Sequence, residues 1–446
     1  MPFAPPQTAA ATGPNRRRVL TAGAAALLAN APGAGQALTD DPWGAAARLS
    51  ADFEPLAAMW LGYDAGHEAF TAELAAQLQP FVPLKLLVRD AGAEVAARAL
   101  LGRRGVAVDR VQFVREPQAL FFVRDAAVFA HDASGRPSIV DFRWSHYGWA
   151  AWCRQRHAGR PTEAARCAAV DDPAPDDLDR HLADGQGLQR FASPLAMEGG
   201  GVEVNGQGLL IANQALWVSR NPGLSRAAIE TELLRLPGIR KVIWLPTGLA
   251  QDPLHRATIV GRHVAWGTGG HTDEFVRFAD ARTVLLAWPE AAEAARHPVT
   301  RLNVQRMQHN FEILSRSTDL RGRRLRVLKL PLPRIIERKV WLSGGADTRF
   351  SAEWSAASFP VAERRRDGDW VMQVASASTL NFVVANGVVL LPDYRAHGTP
   401  LALHGQVQRV MAQAFDGRQF RFVDAVGANW VGGGAHCATL SEPAPA

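Results

Sequence analysis

Three glycine clusters in this 446-residue chain each adjoin a side chain that can do chemistry. Glycine lets the backbone pass close to a ligand, so such clusters at strand ends suggest walls of one pocket. A single cluster more often marks only a tight turn, and three together weaken that interpretation. The clusters are Glu198-Gly199-Gly200-Gly201, Gly267-Thr268-Gly269-Gly270-His271-Thr272-Asp273 and Gly432-Gly433-Gly434-Ala435-His436-Cys437.

Cys437 is the candidate nucleophile of these segments. A thiol near a histidine can be held as the thiolate, which is its reactive form. The carboxylates of Asp125 and Asp273 could hold a cationic substrate beside it. A guanidinium group suits them because its rigid fork of N–H donors matches bidentate carboxylates, and its positive charge favours a neighbouring thiolate.

Two rival kinds of site fit the residues less well. Side chains of types that bind metal ions occur at His271, Asp273, His436 and Cys437. The paired spacing of structural zinc sites is absent from the sequence, however. Adjacent His436 and Cys437 would also point to opposite faces of a strand. No cluster matches Gly-x-Gly-x-x-Gly or the P-loop pattern. We therefore expect neither a metal ion nor a cofactor.

The composition predicts a globular protein without a nucleic-acid partner. Hydrophobic residues make up 47% of the chain, enough to bury a large core. The 49 basic and 43 acidic residues are interspersed, and the formal net charge is +6. Because the basic residues form no clustered stripe with stacking aromatic residues, nucleic-acid binding is not indicated.

Residues 1–37 resemble a twin-arginine export signal. Asn15-Arg16-Arg17-Arg18 is followed by a small, apolar run at 21–31 and by Gly35-Gln36-Ala37. The apolar run is well below the roughly 20 residues that a membrane-spanning helix needs. We predict a protein exported to the periplasm or secreted, without stable membrane insertion. Its oligomeric state is left open.

Short apolar runs alternate with amphipathic stretches, which is typical of an α/β protein. The predicted strands are 84–88, 127–130, 208–212, 241–245, 283–287, 326–330, 381–384 and 388–391, and the clearest helices are 69–78, 226–236, 302–314 and 401–415. Asn386-Gly387 tolerates positive φ and predicts a hairpin between the last two strands. Antiparallel pairs therefore mix with helices.

Other features leave alternatives open. Cys153 and Cys167 could form a disulfide or remain two buried thiols. The acidic segment 171–186 is predicted to be a surface excursion. Three tryptophans at near-helical spacing favour packing over a wall for a cation: Trp144, Trp149 and Trp152.

An ordered set of motifs resembles the agmatine deiminase and bacterial peptidyl-arginine deiminase family from about residue 52 to the end. The motifs are Glu54-Pro55-x(4)-Trp60, Phe122-Val123-Arg124-Asp125, Met197-Glu198-Gly199-Gly200, Arg220-Asn221-Pro222-x-Leu224-Ser225, Trp244-Leu245-Pro246-Thr247-Gly248-Leu249, Gly270-His271-Thr272-Asp273, Asn381-Phe382 and Gly432-Gly433-Gly434-Ala435-His436-Cys437-Ala438-Thr439. No motif is decisive alone, but their order and spacing are specific.

The resemblance implies an α/β fold, a five-bladed pseudo-symmetric propeller of ββαβ modules around a central active site. It implies a single catalytic domain at 38–446 after the signal. It assigns Cys437 as nucleophile, His271 as general acid and then base, and Asp125 and Asp273 as guanidinium ligands. Three further family positions are expected at the substrate: Glu198, Asn381 and Phe122.

The expected activity is hydrolysis of a guanidino group to a ureido product and ammonia. Export favours arginine in peptides or a related derivative, with Arg143 as a possible partner for a substrate carboxylate. Agmatine is the near alternative, and amidinotransfer would share the thiolate intermediate. A silent guanidinium-binding protein is the alternative of a different class.

Three departures from the family pattern border the expected pocket. Ala126-Ala127-Val128 follows Asp125, where the family usually has a small residue, Gly and Pro. Extra sequence includes residues 259–266, and the turn before Cys437 is one residue short. These differences put the substrate in question more than the chemistry.

Overall fold

The apolar runs form strands where the sequence predicted them. The runs at 84–88 and 241–245 form strands with the same bounds, and the other six predicted strands differ at their ends by two residues or fewer. The helical repeat at 302–314 lies within a helix that begins earlier, at Pro298. Proline is favoured at the first position of a helix because its missing N–H would have no partner there.

The computed structural model describes residues 44, 46–169, 177–344 and 353–446. Its strands are β1 (Arg48–Leu49), β2 (Leu56–Gly62), β3 (Leu84–Val88), β4 (Val111–Arg115), β5 (Val128–His131), β6 (Pro137–Arg143), β7 (Gln189–Ala196), β8 (Glu203–Val204), β9 (Leu209–Asn213), β10 (Lys241–Leu245), β11 (Leu254–Val260), β12 (His263–Thr268), β13 (Val276–Phe278), β14 (Thr283–Trp288), β15 (Arg326–Pro331), β16 (Glu337–Trp341), β17 (Trp370–Val374), β18 (Val383–Ala385), β19 (Val388–Pro392), β20 (Gln419–Val423) and β21 (Thr439–Pro443). Its α-helices are α1 (Glu68–Leu78), α2 (Ala91–Arg103), α3 (Trp149–Arg156), α4 (Pro161–Ala168), α5 (Leu178–Gln186), α6 (Gln214–Arg220), α7 (Arg226–Leu233), α8 (Ala291–Ala294), α9 (Pro298–Arg316), α10 (Leu401–Ala414) and α11 (Val426–Asn429).

The strands repeat one arrangement five times. In each repeat an antiparallel pair is followed by a helical crossover to a third strand, parallel to the second. The repeats are β21-β2-β3, β5-β6-β7, β8-β9-β10, β13-β14-β15 and β18-β19-β20. Because β21 pairs with β2, the last strand completes the first repeat. The predicted five-bladed α/β propeller is confirmed.

The hairpin predicted at Asn386-Gly387 joins β18 to β19. Ala385 pairs with Val388 across a two-residue turn, and Gly387 has φ +77°. That left-handed conformation is readily available to glycine, which explains the residue at this place. The hairpin prediction is confirmed.

Hydrophobic cores lie between neighbouring repeats. The largest brings together strands of three repeats, including the fully buried Ile211, Leu285 and Val389. Burying each such side chain contributes about 1.5–3 kcal/mol to folding. Packing between repeats therefore holds their inner ends together.

Two pieces stand apart from the five repeats. An extra sheet of β11, β12, β17 and β16 contains most of the additional sequence at 259–266. In the crossover between β6 and β7, a disulfide joins Cys153 of α3 to Cys167 of α4, which answers the question left open by the sequence. Trp152 Nε1 on α3 donates to the Arg256 carbonyl on β11 at 2.9 Å, so the disulfide-linked helices contact the extra sheet.

Some predictions concern residues that the structure does not describe. The export signal at 1–37 lies outside the described residues, as do residues 171–176 of the acidic segment, whose remainder includes α5. The division into that signal and a single catalytic domain at 38–446 stays a prediction. Among the described helices, none has the length and apolar character to span a membrane.

Candidate active site

The polar side chains predicted from the sequence lie in turns and short 3-10 helices that precede the first strand of each repeat. This equivalence brings together residues that are far apart in the chain. The turns supply Asp125 before β5, Glu198 before β8, His271 and Asp273 before β13, Asn381 before β18 and Cys437 before β21. All six side chains are buried.

Cys437 lies among polar groups with only 2% of its surface exposed. Its Sγ accepts a hydrogen bond from Asn381 Nδ2 at 3.1 Å and lies 3.5 Å from Asp273 Oδ2 and 3.9 Å from Glu274 Oε1. Burial, together with the carboxylates of Asp273, Glu274 and Asp125, holds the pKa of the thiol well above its usual value. The protein without substrate therefore keeps Cys437 as a neutral thiol at pH 7.

His271 is fully buried between carboxylates. Its Nε2 lies 3.2 Å from Glu198 Oε2, and its Nδ1 lies 3.8 Å from Asp125 Oδ1. Burial alone would lower the pKa of His271, but Asp125, Glu198 and Asp273 outweigh it and raise the pKa to about 9. The ring is thus an imidazolium at pH 7 and can act as an acid.

Asp125 and Asp273 are held in place by different partners. Asp125 accepts hydrogen bonds from Gly200 N and from the Tyr147 hydroxyl, both at 3.0 Å, and burial raises its pKa to about 6 despite the charge of His271. Asp273 bonds His436 Nδ1 at 2.7 Å, and this contact overcomes burial to hold the pKa of Asp273 below its usual value. At pH 7 both carboxylates carry negative charge.

The clusters of glycine permit this close packing. A Cβ on Gly200 would collide with His271 Nδ1, and one on Gly434 would lie 2.5 Å from Asn381 Oδ1. Real Cβ atoms do not approach that closely, so these positions require glycine. The interpretation of the clusters as walls of one site is consistent with these contacts.

Glu198 positions His271 and is itself held by two residues. Its carboxylate accepts from Arg220 Nε at 2.8 and 3.0 Å and from Ser145 Oγ at 3.0 Å. Burial opposes ionisation, but Arg220 and His271 lower the pKa of Glu198 to about 2. Both oxygens of Glu198 are thus occupied by protein groups, which places the carboxylate to orient His271. The substrate-binding role expected from the sequence stays a prediction.

A second layer of charge supports Asp273 from behind. His436 bridges Asp273 Oδ2 and Asp52 Oδ2, each at 2.7 Å, and Asp52 also accepts from Arg124 at 3.0 Å and Arg277 at 2.8 Å. Burial, with both arginines, lowers the pKa of His436. Yet each of the two contacts of His436 with a carboxylate oxygen needs a hydrogen between its atoms, and a neutral imidazole carries only one N–H. Either the ring is therefore doubly protonated, or one of the two carboxyl groups is protonated.

One expectation about this segment was wrong. Residues 435–438 form a turn, so His436 and Cys437 do not point to opposite faces of a strand. Both side chains contact Asp273 Oδ2. The turn directs neighbouring residues to one carboxylate because its backbone does not alternate as a strand does.

Tyr147 covers the central groups in an unusual backbone conformation. Its ring centroid lies 6.2 Å from that of His271, and its hydroxyl donates to Asp125 Oδ2. His146 and Tyr147 have φ of +52° and +55°, a left-handed backbone conformation that residues other than glycine rarely adopt. Such strain persists only where surrounding contacts impose it and is frequent at functional sites.

The remaining predicted residues lie around the cluster. Phe122 is half-buried against Gly433, in the turn before Cys437. Arg143 ends β6 with an exposed side chain. The rings of Trp149 and Trp152 stack with centroids 4.7 Å apart, which supports the packing interpretation. The ring centroid of Trp144 lies 5.1 Å from that of Tyr147.

Several groups that the structure places here were not predicted from the sequence. Glu274 directly follows Asp273, and Asp52 precedes the first family motif, so proximity to a motif was a usable signal for both. Arg220 lies within a motif but was given no role. Nothing in the sequence distinguished Tyr147, because its contact with Asp125 is made only in the folded chain.

The cluster can hold a cation. Among the described residues, His271 Nδ1, Asp273 Oδ1 and Glu274 Oε2 are buried without a hydrogen-bond partner, and such atoms usually require an explanation. Asp273, Glu274 and Cys437 offer ligand atoms within 4.8 Å of one another, which a metal ion could also use. A guanidinium would satisfy the two carboxylate oxygens and place its carbon near the sulfur.

A propeller of five repeats with a thiol, a histidine and carboxylates at its centre defines a cysteine-dependent hydrolase of guanidino groups. The profile of the Porphyromonas-type peptidyl-arginine deiminase family matches residues 48–443. The chain belongs to this family.

Individual relatives agree with that assignment. The agmatine deiminase of Stutzerimonas stutzeri is 28% identical over 396 residues, covering 86% of this chain and 90% of that protein. A Streptomyces coelicolor protein provisionally assigned as an agmatine deiminase is 30% identical over 383 residues, covering 85% and 90%. The solved agmatine deiminase of Enterococcus faecalis shares the fold, with a TM-score of 0.66 and 22% identity over 93% of this chain and 100% of that one.

Proposed function

We propose that this chain hydrolyses the guanidino group of an arginine derivative, foremost arginine in a peptide, to a ureido group and ammonia. The observation that carries the reaction is the convergence on one buried point of Cys437, the imidazolium of His271 and the carboxylates of Asp125 and Asp273. A positively charged group bound there would be surrounded by groups suited to attack and protonate it.

Substrate binding activates the nucleophile in this proposal. The same carboxylates that raise the pKa of Cys437 attract a guanidinium. Once bound, its charge offsets theirs and favours the thiolate, which Asn381 Nδ2 stabilises by its hydrogen bond to sulfur. The thiol proton is lost to solvent as the substrate enters.

The covalent steps follow from the protonation states. The thiolate adds to the guanidinium carbon and gives a neutral tetrahedral adduct. His271 then protonates the departing nitrogen through Nδ1, ammonia leaves, and a cationic amidino thioether remains. Neutral His271 takes a proton from the attacking water. Collapse of the second adduct expels the thiolate, forms the ureido C=O and releases the hydroxyl proton to solvent, and the thiolate regains its proton from solvent once the product has left.

Arg143 supports an arginine derivative over a substrate without a carboxyl or peptide group. Its Cα pairs with Ala196, and its carbonyl accepts from Met197 N, next to Glu198. The backbone of Arg143 is therefore held two residues from Glu198 along the paired strand, and its exposed guanidinium can bind a carboxylate or peptide carbonyl.

Agmatine is the second candidate, favoured by the names of the relatives from Stutzerimonas stutzeri and Streptomyces coelicolor. Its distal ammonium would gain nothing from Arg143. The two substrates therefore predict different responses to a change at this residue.

The test compares arginine-containing peptides, free arginine and agmatine, with ureido product and ammonia measured for each. Cys437→Ala should abolish turnover. Arg143→Ala should raise KM for the preferred arginine derivative by about tenfold while leaving agmatine unaffected, and Arg104→Ala, at another exposed arginine, is the matched control.

Other outcomes separate the alternatives. Turnover of agmatine alone would establish the second candidate. Release of ammonia from none of the compounds would overturn both, and binding without turnover would support the silent guanidinium-binding protein. An amidino group recovered on an added amine would indicate transfer instead of hydrolysis.

We also propose export through the twin-arginine pathway, on the strength of residues 15–37 alone. Changing Arg16, Arg17 and Arg18 to lysine should retain the protein inside the cell, as measured by cell fractionation. Unchanged export of this variant would contradict the proposal.

A further inference from the structure

Away from the central cluster, three side chains from separate elements converge at the extra sheet. They are His263 at the start of β12, His297 at the N-cap of α9 and Glu337 at the start of β16. Glu337 Oε2 lies 3.3 Å from His263 Nε2 and 3.2 Å from His297 Nε2. The two imidazole rings meet edge to face with centroids 4.9 Å apart.

These separations match those of ligands around a small ion. Zinc binds histidine nitrogen and carboxylate oxygen at about 2.0–2.2 Å in a tetrahedral arrangement, which places neighbouring ligand atoms about 3.3 Å apart. The contacts of Glu337 with His263 and His297 have this length, and all three ligand atoms lie within 4.8 Å of one another. Two histidines and one carboxylate also form a known protein ligand set for zinc.

The hydrogen bonds of His263 favour a cation between the groups. Its Nδ1 lies 3.3 Å from the carbonyl of Val260, which can only accept, so Nδ1 is assigned the proton. Nε2 of the neutral ring then carries no proton, and its lone pair faces the Glu337 carboxylate. A metal-binding histidine commonly donates its other N–H to a backbone carbonyl in this way.

His297 requires one adjustment. Its Nδ1 accepts from Val299 N at 3.3 Å, which leaves the neutral ring with a proton on Nε2. Binding an ion through Nε2 moves that proton to Nδ1 and gives up this long hydrogen bond. Without an ion, the same three side chains can form an ion pair with a protonated histidine, so the experiment must distinguish the two.

The cluster is open enough for an ion to enter. The side chains of His263, His297 and Glu337 are 21%, 16% and 30% exposed, which leaves room for water as a fourth ligand. The cluster joins the extra sheet to the beginning of α9, which belongs to the fourth repeat.

We propose that His263, His297 and Glu337 bind one divalent transition-metal ion, with zinc the best match. The ion fastens the extra sheet to α9. It lies at the opposite end of β12 from the residues that lead to His271, and it stabilises structure without taking part in the reaction.

The experiment titrates the full chain with Zn²⁺ after treatment with a chelator. A Cys437→Ala background removes the thiol from the central cluster, so that the measured binding does not depend on it. We expect one equivalent of zinc and a raised Tm. Loss of a residue that only hydrogen-bonds to a metal ligand weakens metal binding about 10–100-fold. His263 is proposed as a direct ligand, so His263→Ala should weaken zinc binding by about 100-fold or more. Glu337→Gln should act similarly, and His309→Ala, at an exposed histidine of α9, is the control.

A second readout separates this site from the proposed reaction. In the chain with Cys437 intact, His263→Ala should retain deiminase activity while losing the rise in Tm with zinc. The proposal would be overturned if the parent chain, His263→Ala and Glu337→Gln bound zinc with the same stoichiometry and affinity. The three side chains would then form an ion pair only. Absence of zinc binding to the parent chain would overturn it equally.

Discussion

The centre of the propeller and the pieces attached outside it use ionisable groups differently. At the centre, Glu198, His271 and Asp273 are buried. The two carboxylates raise the pKa of His271, and His271 lowers theirs. In the extra sheet, His263 and Glu337 are partly exposed, and α3 is linked to α4 by a disulfide.

This difference reflects how each region is built. The central groups come from equivalent turns of different repeats, so the reaction depends on the whole propeller. The outer pieces arise from segments inserted between strands of the repeats. Central substitutions should therefore alter chemistry, whereas outer ones should alter access or stability.

The largest effect is expected at Glu198. Glu198→Gln removes the charge that orients His271 and helps to raise its pKa, so kcat should fall about 100-fold. The alkaline limb of the pH profile should move below about 9. Kinetics across pH would measure both effects, with exposed Glu312→Gln as the control. An unmoved limb would show that Glu198 does not tune the histidine.

The pH profile of kcat/KM tests Asp125 next. Because the Cys437 thiol loses its proton as substrate enters, kcat/KM should rise with pH until His271 loses its own proton near 9, and it should rise more steeply below about 6, where Asp125 must also be ionised. The slope should approach about a hundredfold per pH unit below about 6 and about tenfold between about 6 and 9. In Asp125→Asn the steeper part below about 6 should disappear from the reduced activity, and its persistence would assign it to another group.

A smaller effect is expected at Tyr147, where an inserted segment reaches the centre. Tyr147→Phe keeps the ring but removes the hydroxyl that competes with substrate for Asp125 Oδ2. Because Asp125 is ionised, this hydrogen bond contributes about 1.5 kcal/mol or more, so KM should fall about tenfold. Steady-state kinetics would show this, with Tyr63→Phe as the control. A raised KM would mean that the hydroxyl assists binding.

The smallest catalytic effect is expected from the disulfide. Replacing Cys153 and Cys167 by serine opens a loop with a sequence separation of 14 residues. The free energy of unfolding should fall by about 3 kcal/mol, while kcat changes less than about twofold if the outer region does not act in chemistry. Denaturant unfolding and kinetics would measure these quantities. A loss of kcat as large as that of Glu198→Gln would end the distinction between the two regions.

The sequence by itself determined eight of the 21 described strands, four of the 11 described α-helices and the types of group at the centre. Alternation of apolar residues, Asn386-Gly387 and the glycines beside Glu198, His271 and Cys437 are local patterns, and local patterns can be read without the fold. The family motifs supplied the order in which those groups occur.

Only the tertiary structure decided which groups contact one another. His436 is 163 positions from Asp273 and 384 from Asp52, yet it lies 2.7 Å from each. The contact of Tyr147 with Asp125 and the convergence on Glu337 are likewise contacts between separate elements. Spacing along the chain does not fix such distances, because they are set by how the repeats and the segments inserted between them pack together.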